Sequence, residues 1–157
     1  MKQTLIILTT ITMLLVGCSK EYDSLYDQSV LSELEHFEYA GYTYYVHPHL
    51  TTRTIYSRYD FDYKTILDEV KSLDSYGFSW FIPTISELEA ATHSNLLRSS
   101  GVPWGTGIIS SSKNDGHYLC LVYDYYPEYN YGSWQTEYVG DVVYDRYTVV
   151  PMVKFRK

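Results

Sequence analysis

The stretch that most constrains the fold is GFSWFIPTISELE, residues 77–89, because it changes abruptly from a strand pattern to a helix pattern. Phe78, Trp80 and Ile82 fall on alternate positions, and this period of two is typical of a strand with an apolar face. Pro83 ends the pattern, since proline has no N–H group to donate to a neighbouring strand. The sequence therefore predicts a buried, central strand that stops at a proline.

A helix start follows the proline directly. In the segment TISE, the Thr84 hydroxyl can accept a hydrogen bond from the Glu87 N–H, and the Glu87 carboxylate can accept one from the Thr84 N–H. This capping box predicts a helix over residues 85–96. It also explains Trp80, Pro83, Thr84 and Glu87 as a structural motif that needs no catalytic role.

Two further elements precede this corner. The tyrosine-rich segment YAGYTYYVH, residues 39–47, favours a strand because apolar and aromatic side chains alternate along it. Residues 63–73 carry apolar side chains at helical spacing, with Asp62 placed to cap the helix and Gly77 placed to end it. The first half of the domain therefore holds two helices.

The second half of the chain is organised differently. Residues 98–117 are rich in Gly, Ser and Pro and predict a long irregular connection with at most one short strand. Residues 118–126 and 147–155 predict two strands, and the tyrosine-rich residues 127–138 between them predict a loop. This order indicates an α+β fold, with two helices followed by antiparallel β-hairpins and long loops.

The N-terminal residues are typical of an export signal. The apolar run over residues 5–16 is shorter than the roughly 20 residues that span a bilayer. The run ends in LVGC, which resembles a bacterial lipobox, and such signals imply cleavage before Cys18 and lipidation of its thiol. We therefore expect a signal peptide over 1–17, a lipidated cysteine and acidic tether over 18–38, and one domain over 39–157.

Location and charge restrict the partners. Ser19 after the lipidated cysteine resembles an outer-membrane sorting signal, so we expect a lipid-anchored protein of the bacterial outer membrane, periplasmic or surface-exposed. The chain carries 19 acidic and 12 basic residues with no basic block, which argues against nucleic acid as a partner. Because Cys18 is used by the anchor, Cys120 is left without a disulfide partner and is expected to be a small buried residue.

The order of these pieces resembles the DUF1566 (Lcl C-terminal domain) family of bacterial surface and periplasmic proteins, over about residues 39–155. The matching features are an amphipathic helix, a glycine, the corner WFIPTISEL, a serine-rich turn at Ser110–Ser112 and a terminal strand with VVPM. The resemblance implies a C-type lectin-like fold on a lipoprotein of the Bacteroidetes type. Phe81 and Val150 stand where the family often has arginine, so the polar function of those arginines is not carried over.

Catalytic and metal-binding signals are sparse. The five histidines form no H-E-x-x-H motif, and His47 and His49 could chelate a metal only in an extended segment interrupted by Pro48. Calcium at Asp60 and Asp62, or at the segment KNDG, stays open beside the alternative of a plain hairpin turn. With no nucleophile frame in the sequence, we expect neither an enzyme nor a cofactor.

Aromatic residues give the remaining signal. The chain has 19 tyrosines, and residues 118–138 hold seven of them together with a tryptophan. Tyr and Trp combine a flat apolar face with a polar edge, which suits sugar rings and protein hot spots. These side chains either cover a half-exposed sheet or face a ligand. The candidate ligand-binding residues are Trp104, Tyr125, Tyr126, Tyr129, Tyr131 and Trp134.

These observations favour a non-enzymatic cell-envelope lipoprotein that binds a glycan or protein ligand through aromatic-rich loops. The alternative is a structural subunit of an envelope or surface assembly. The expected partners are the membrane, through the lipid on Cys18, and a glycan or protein ligand.

Overall fold

The computed structural model describes residues 28–48, 56–57, 62–94, 96–99, 102, 105–141 and 146–157. Its helices are α1 (Gln28–Leu31), α2 (Tyr63–Lys71), α3 (Ile85–Thr92) and α4 (Leu96–Ser99). Its strands are β1 (His36–Tyr39), β2 (Tyr42–Val46), β3 (Tyr56–Ser57), β4 (Gly107–Asn114), β5 (His117–Tyr126), β6 (Tyr131–Tyr138), β7 (Arg146–Thr148) and β8 (Met152–Arg156). Two short 3-10 helices cover Ser75–Gly77 and Pro127–Tyr129.

The smaller sheet brings together the two ends of the described chain. Its strand order is β1-β2-β8, and both pairs are antiparallel. Ala40 and Gly41 connect β1 to β2 with φ angles of 50° and 80°, the backbone shape of a two-residue hairpin turn. Tyr44 and Val46 are buried, so the alternation predicted for residues 39–47 is correct over β2. The single strand predicted there is wrong, because the turn separates Tyr39 in β1 from β2.

The larger sheet has the strand order β3-β7-β4-β5-β6. Its pairs are antiparallel except β4 with β7, which run parallel. Asp115 and Gly116, with φ angles of 50° and 81°, join β4 to β5, so the segment KNDG contains a tight hairpin turn. The chain thus has a mixed α+β fold with antiparallel sheets and few helices.

Two regions predicted as irregular contain long strands. Residues 98–117 hold the eight-residue β4, because Ile108 and Ile109 lie fully buried at the centre of the sheet. The serine-rich turn expected at Ser110–Ser112 is instead the later part of this strand, where the register with β5 shifts. The predicted loop 127–138 is a short turn followed by β6.

The last predicted strand, residues 147–155, divides between the two sheets. Its first part is β7 of the larger sheet, and its second part is β8 of the smaller one. Val149, Val150 and Pro151 are all buried as the chain crosses from one sheet to the other. A continuous apolar run therefore gave no sign of the crossing, and the single-strand prediction is wrong.

The corner at residues 78–82 is extended, but it is not the central strand that its alternation predicts. Only Phe81 bridges another strand: its N–H donates to the Met152 carbonyl (2.9 Å) and its carbonyl accepts from the Met152 N–H (3.0 Å). Gly77, with a φ angle of 72°, and Pro83 interrupt the chain on either side and leave too few residues for a longer ladder. The side-chain alternation itself is correct, because Phe78, Trp80 and Ile82 are all buried.

Helix α2 starts as predicted and ends early. The Asp62 side chain accepts a hydrogen bond from the Lys64 N–H (3.1 Å) and caps the helix. Ile66 and Val70 face the core. The helix ends at Lys71, and Gly77 instead closes the following 3-10 helix, so its predicted role at the end of α2 is wrong.

Helix α3 is shorter than the predicted 85–96. The hydroxyls of Thr92 and Ser94 donate to the carbonyls of Glu89 and Ala91, which satisfies backbone groups at the end of the helix. The chain then resumes helical structure in α4. The apolar side chains of α3 and α4 are buried nonetheless: Leu88, Ala91, Leu96 and Leu97.

The core forms two clusters on opposite faces of the larger sheet. On one face, Ile109 and Val122 pack with α2 and the aromatic corner. On the other face, Ile108 and Leu121 pack with α3 and α4. Because successive side chains of a strand point to opposite faces, β4 and β5 supply both clusters at once. The hairpin of β5 and β6 therefore has its root in the core.

Candidate functional site

The predicted ligand-binding tyrosines lie at the free end of one hairpin. We call residues His117–Tyr138 the outer hairpin; in it, β5 and β6 pair in unbroken register over eight residue pairs. The exposed fractions of the four predicted tyrosines are 37% for Tyr125, 45% for Tyr126, 77% for Tyr129 and 59% for Tyr131. Tyr129 and Tyr131 are therefore mostly exposed and the other two partly exposed, and all four lie on strand ends and a tight turn rather than on a long loop.

The turn of the outer hairpin fixes the position of these rings. Pro127 begins the 3-10 helix, where its lack of an N–H group costs nothing. Asn130 follows in the left-handed conformation, with a φ angle of 47°, which asparagine tolerates better than most residues. The Asn130 Oδ1 atom also accepts a hydrogen bond from the Tyr125 hydroxyl (2.9 Å). The turn is thus closed by a side-chain contact of its own.

The register divides the predicted aromatic set between two faces of the outer hairpin. Tyr126 lies opposite Tyr131, and both project on one face. Trp134 lies opposite Tyr123 on the other face, where their ring centroids are 5.1 Å apart and Trp134 packs against the cluster at α3. Tyr125 shares that second face. The five described candidates therefore do not form one convergent group, and Trp134 is half-buried.

The outer hairpin is also acidic. From residue 114 to residue 145 the chain has no Lys or Arg, although it has six Asp and Glu residues. Asp124 and Glu137 lie on the same face as Tyr126 and Tyr131, because all four alternate in step along the paired strands. Burial, and then the nearby charges of Asp124 and Asp141, raise the pKa of the Glu137 carboxyl. The outer hairpin itself therefore contributes negative charge and no Lys or Arg beside the tyrosines.

Several predicted residues lie outside the described part of the chain. Trp104, the lipidation candidate Cys18 and the possible metal ligands His49 and Asp60 belong to this group. The signal peptide, residues 1–17, lies there as well. These predictions stay predictions.

The structural corner has the capping box that the sequence predicts. The Thr84 Oγ1 atom accepts from the Glu87 N–H (3.3 Å), and Glu87 Oε2 accepts from the Thr84 N–H (2.8 Å). Trp80 is buried, and its indole Nε1 donates to the Ser75 carbonyl (3.1 Å). Pro83 is buried too, and its carbonyl accepts from the Ser111 N–H (2.8 Å). The four motif residues are structural contacts, as predicted.

Glu87 makes two further contacts that the capping box does not require. Its Oε1 atom accepts hydrogen bonds from the Tyr44 hydroxyl (2.9 Å) and from Lys154 Nζ (2.8 Å). Glu87 is only 5% exposed, and its carboxylate joins α3 to both β2 and β8. Burial alone would raise the pKa of Glu87, but the hydrogen bonds from Lys154, Thr84 and Tyr44 outweigh it and lower that pKa. Glu87 is therefore a buried, charged junction between the helix and the smaller sheet.

Sequence reasoning missed Tyr44 and Lys154 as partners of Glu87. Lys154 Nζ also lies 5.1 Å from the ring centroid of Phe81 and 5.4 Å from those of Tyr42 and Tyr44. The hydrogen bond to Glu87 raises the pKa of Lys154. In the sequence, Lys154 stands in the alternating segment MVKFR, and this pattern alone predicts a lysine side chain in solvent.

The described histidine and cysteine side chains show packing roles. His47 is buried with its ring edge-on to Trp80, at a centroid distance of 4.5 Å. Cys120 is fully buried, as expected, and burial raises the pKa of its thiol to about 12. Within the described ranges, His, Cys, Asp and Glu side chains form no group of three or more that could hold a metal ion.

One open groove of about 400 Å³ lies between β1 and α3. It is acidic at two positions, and one of these, Glu89, also accepts a hydrogen bond from the Thr136 hydroxyl of β6 (3.1 Å). The lining residues are Glu38, Tyr39, Ser86, Glu89, Ala90 and His93. The groove therefore adjoins the root of the outer hairpin rather than its exposed tyrosines.

Comparison with protein-family models, with curated proteins and with solved structures found no match to this chain. In the part of the chain that the structure describes, none of the helices is long and apolar enough to cross a membrane. The geometry of the outer hairpin is therefore the main guide to function.

Proposed function

We propose that this chain is a non-enzymatic lipoprotein of the bacterial cell envelope that binds a ligand through the tyrosines of its outer hairpin. The observation that carries the proposal is the exposure of Tyr125, Tyr126, Tyr129 and Tyr131, between 37% and 77%, at the end of a strand pair with its root in the core. Large aromatic rings are costly to leave in water, and such surface groups mark interaction sites. A rigid support also lowers the entropy lost on binding.

We propose further that the domain has a C-type lectin-like fold similar to that of the DUF1566 family. The corner motif, the early helices and the late strands support this fold, which is compatible with a ligand held away from the core. The lipobox LVGC supports anchoring through Cys18 in the outer membrane. A Cys18→Ser variant is expected to lose labelling by radioactive palmitate and to leave the outer-membrane fraction.

The test of binding uses the full chain extracted in mild detergent. Wild type and the Tyr129→Ala, Tyr131→Ala double variant are applied to a glycan array and used in pull-downs from envelope extract. Tyr39→Ala is the matched control, because Tyr39 is also an exposed tyrosine (39%) but belongs to the smaller sheet. We expect the double variant to lose the ligands that wild type and the control retain. Equal binding profiles for all three folded proteins would refute the proposal.

The alternative, a structural subunit of an envelope assembly, is addressed by the size of the extracted protein. A stable complex that survives in the double variant would favour that alternative, because assembly would then not depend on the exposed tyrosines. A complex that dissociates in the double variant would support ligand binding at the outer hairpin.

A further inference from the structure

Strand β6 has one edge that no other described strand covers. It is the last strand in the order β3-β7-β4-β5-β6 and pairs only with β5 among the strands that the structure describes. An edge strand presents a row of backbone N–H and C=O groups that can accept another extended chain. At eight residues, β6 is long enough to pair with a short peptide segment.

The side chains beside this edge are aromatic and negatively charged. On the face that carries Tyr126, strand β6 contributes Tyr131, Ser133, Gln135 and Glu137 in alternation. A peptide added to β6 would place its alternate side chains on this same face, at the spacing of about 7 Å set by two residues of strand. A tyrosine ring and a carboxylate are the two groups that best hold a Lys or Arg side chain.

Two lysines of the chain make contacts of this kind, one with a carboxylate and aromatic rings and the other with a ring alone. Lys154 bonds to the Glu87 carboxylate and lies within 5.4 Å of three aromatic rings. Lys113 lies over the Tyr118 ring, 4.1 Å from its centroid. The outer hairpin repeats the combination of tyrosine and carboxylate, but residues 114–145 supply no Lys or Arg to it.

We propose that the outer hairpin binds an extended, basic segment of a protein partner, which adds as a strand along β6 and sets alternate Lys or Arg side chains against Tyr131 and Glu137. This inference rests on the proposed function and narrows its ligand to a cationic polypeptide. Asp124, on the same face, adds to the negative potential. Burial, and then the nearby charges of Asp124 and Asp141, raise the pKa of the Glu137 carboxyl, and a bound cation would offset those charges.

The test measures binding of fluorescent synthetic peptides to the full chain in mild detergent. The probe is a short peptide of alternating Lys and Thr; the controls are alternating Glu and Thr, and a peptide of the same composition with its lysines grouped at one end. The test protein is an Asp124→Asn, Glu137→Gln double variant. Its matched control is Asp68→Asn, Glu33→Gln, which removes the same two charges from exposed positions outside the hairpin.

We expect the alternating Lys peptide to bind wild type and the control variant, and to bind the test variant roughly fivefold or more weakly, since two half-buried carboxylates lose their charge. Binding should also weaken as salt is raised. Equal affinity for the test and control variants, preference for the Glu peptide, or no binding of the Lys peptide would each overturn the inference. If wild type binds the grouped-lysine peptide as tightly as the alternating Lys peptide, the inference that the partner adds as a strand is wrong.

The proposed function can survive that failure. If Tyr129→Ala, Tyr131→Ala removes a glycan or protein ligand while the charge variant retains it, the tyrosines bind by another chemistry and the basic segment is excluded. If the tyrosine variant retains every ligand, the proposed function is wrong, and the inference of a basic segment is wrong with it.

Discussion

Replacing Glu87 by Gln is the sharpest test of how the helix and the smaller sheet are joined. The carboxylate accepts hydrogen bonds from the Tyr44 hydroxyl, from Lys154 Nζ and from both the N–H and the hydroxyl of Thr84. The amide of Gln has nearly the same shape, but only its oxygen accepts, whereas its nitrogen donates. The substitution therefore keeps the packing and removes one acceptor and the charge.

The cost of Glu87→Gln follows from which donor loses its acceptor. The two hydroxyls can rotate to accept from the new amide, but the Lys154 ammonium and the Thr84 N–H cannot. Whichever way the amide turns, one of these two donors faces an N–H group. The Lys154 side chain is 39% exposed and can bond to water instead, so we expect the amide oxygen to face the Thr84 N–H. The cost then lies in the lower part of the range of about 1–3 kcal/mol for an unpaired donor, and we expect a loss of about 1–2 kcal/mol in the free energy of unfolding.

The assay is thermal and urea unfolding of the purified full chain, followed by circular dichroism. For a chain of this size, the expected loss lowers the midpoint temperature by roughly 3–8 °C. Glu89→Gln is the matched control: it is the same substitution two residues away on α3, at an exposed position, and should change stability by less than about 0.5 kcal/mol. If the Glu87→Gln variant is as stable as this control, the Glu87 carboxylate does not stabilise the contact between α3 and the smaller sheet.

The pH dependence gives an independent check of the same carboxylate. The pKa of Glu87 is lower in the folded chain than its ordinary value of 4.5, so the unfolded state binds the proton more readily. The stability that Glu87 contributes is therefore fully present above pH 4.5 and is lost as the pH falls through the lower folded pKa. The difference between wild type and Glu87→Gln should shrink as the pH falls below 4.5; a constant difference would contradict the electrostatic part of the argument.

Three other predictions concern single positions. Gly107→Ala should destabilise the fold by about 1–3 kcal/mol in urea unfolding, because its Cβ would lie 2.9 Å from the buried Tyr147 ring and 3.2 Å from Cys120 Sγ. Native Cys120 should resist iodoacetamide at pH 8 and react only after unfolding, as mass spectrometry will show, since its thiol pKa is about 12. Asn130→Ala should be about 1 kcal/mol less stable than Asn130→Gly in the same unfolding assay, because alanine resists the left-handed φ of 47° that glycine adopts freely.

The sequence predicts best what depends on neighbouring residues. The capping box at Thr84 and Glu87, the cap at Asp62 and the buried alternation from Phe78 to Ile82 all form within a few residues of one another. The turn at residues 115–116 has the same local origin. Each of these predictions is confirmed because its physical cause is contained in the segment itself.

Prediction fails where the cause lies far along the chain. Lys154 and Glu87 are 67 residues apart, and nothing in either segment indicates the other. β6 was predicted as a loop because its mixed sequence YGSWQTEY has little apolar alternation, and it becomes a strand through its pairing with β5. The division of residues 147–155 between two sheets is equally hidden, since both parts are apolar. Tertiary pairing overrides local pattern in all three cases.

Helix α3 connects the corner at residues 78–87 to the outer hairpin, and this connection allows stability and the proposed binding to be tested separately. Its start is fixed by Glu87, and two residues later Glu89 accepts a hydrogen bond from Thr136 at the root of the outer hairpin. The free end of the hairpin is instead closed by Tyr125 and Asn130, through a contact made within the turn. Weakening the corner should therefore loosen the root of the hairpin before its end. Because Tyr129 and Tyr131 are 77% and 59% exposed, their replacement by alanine should alter the proposed binding and leave the unfolding free energy nearly unchanged.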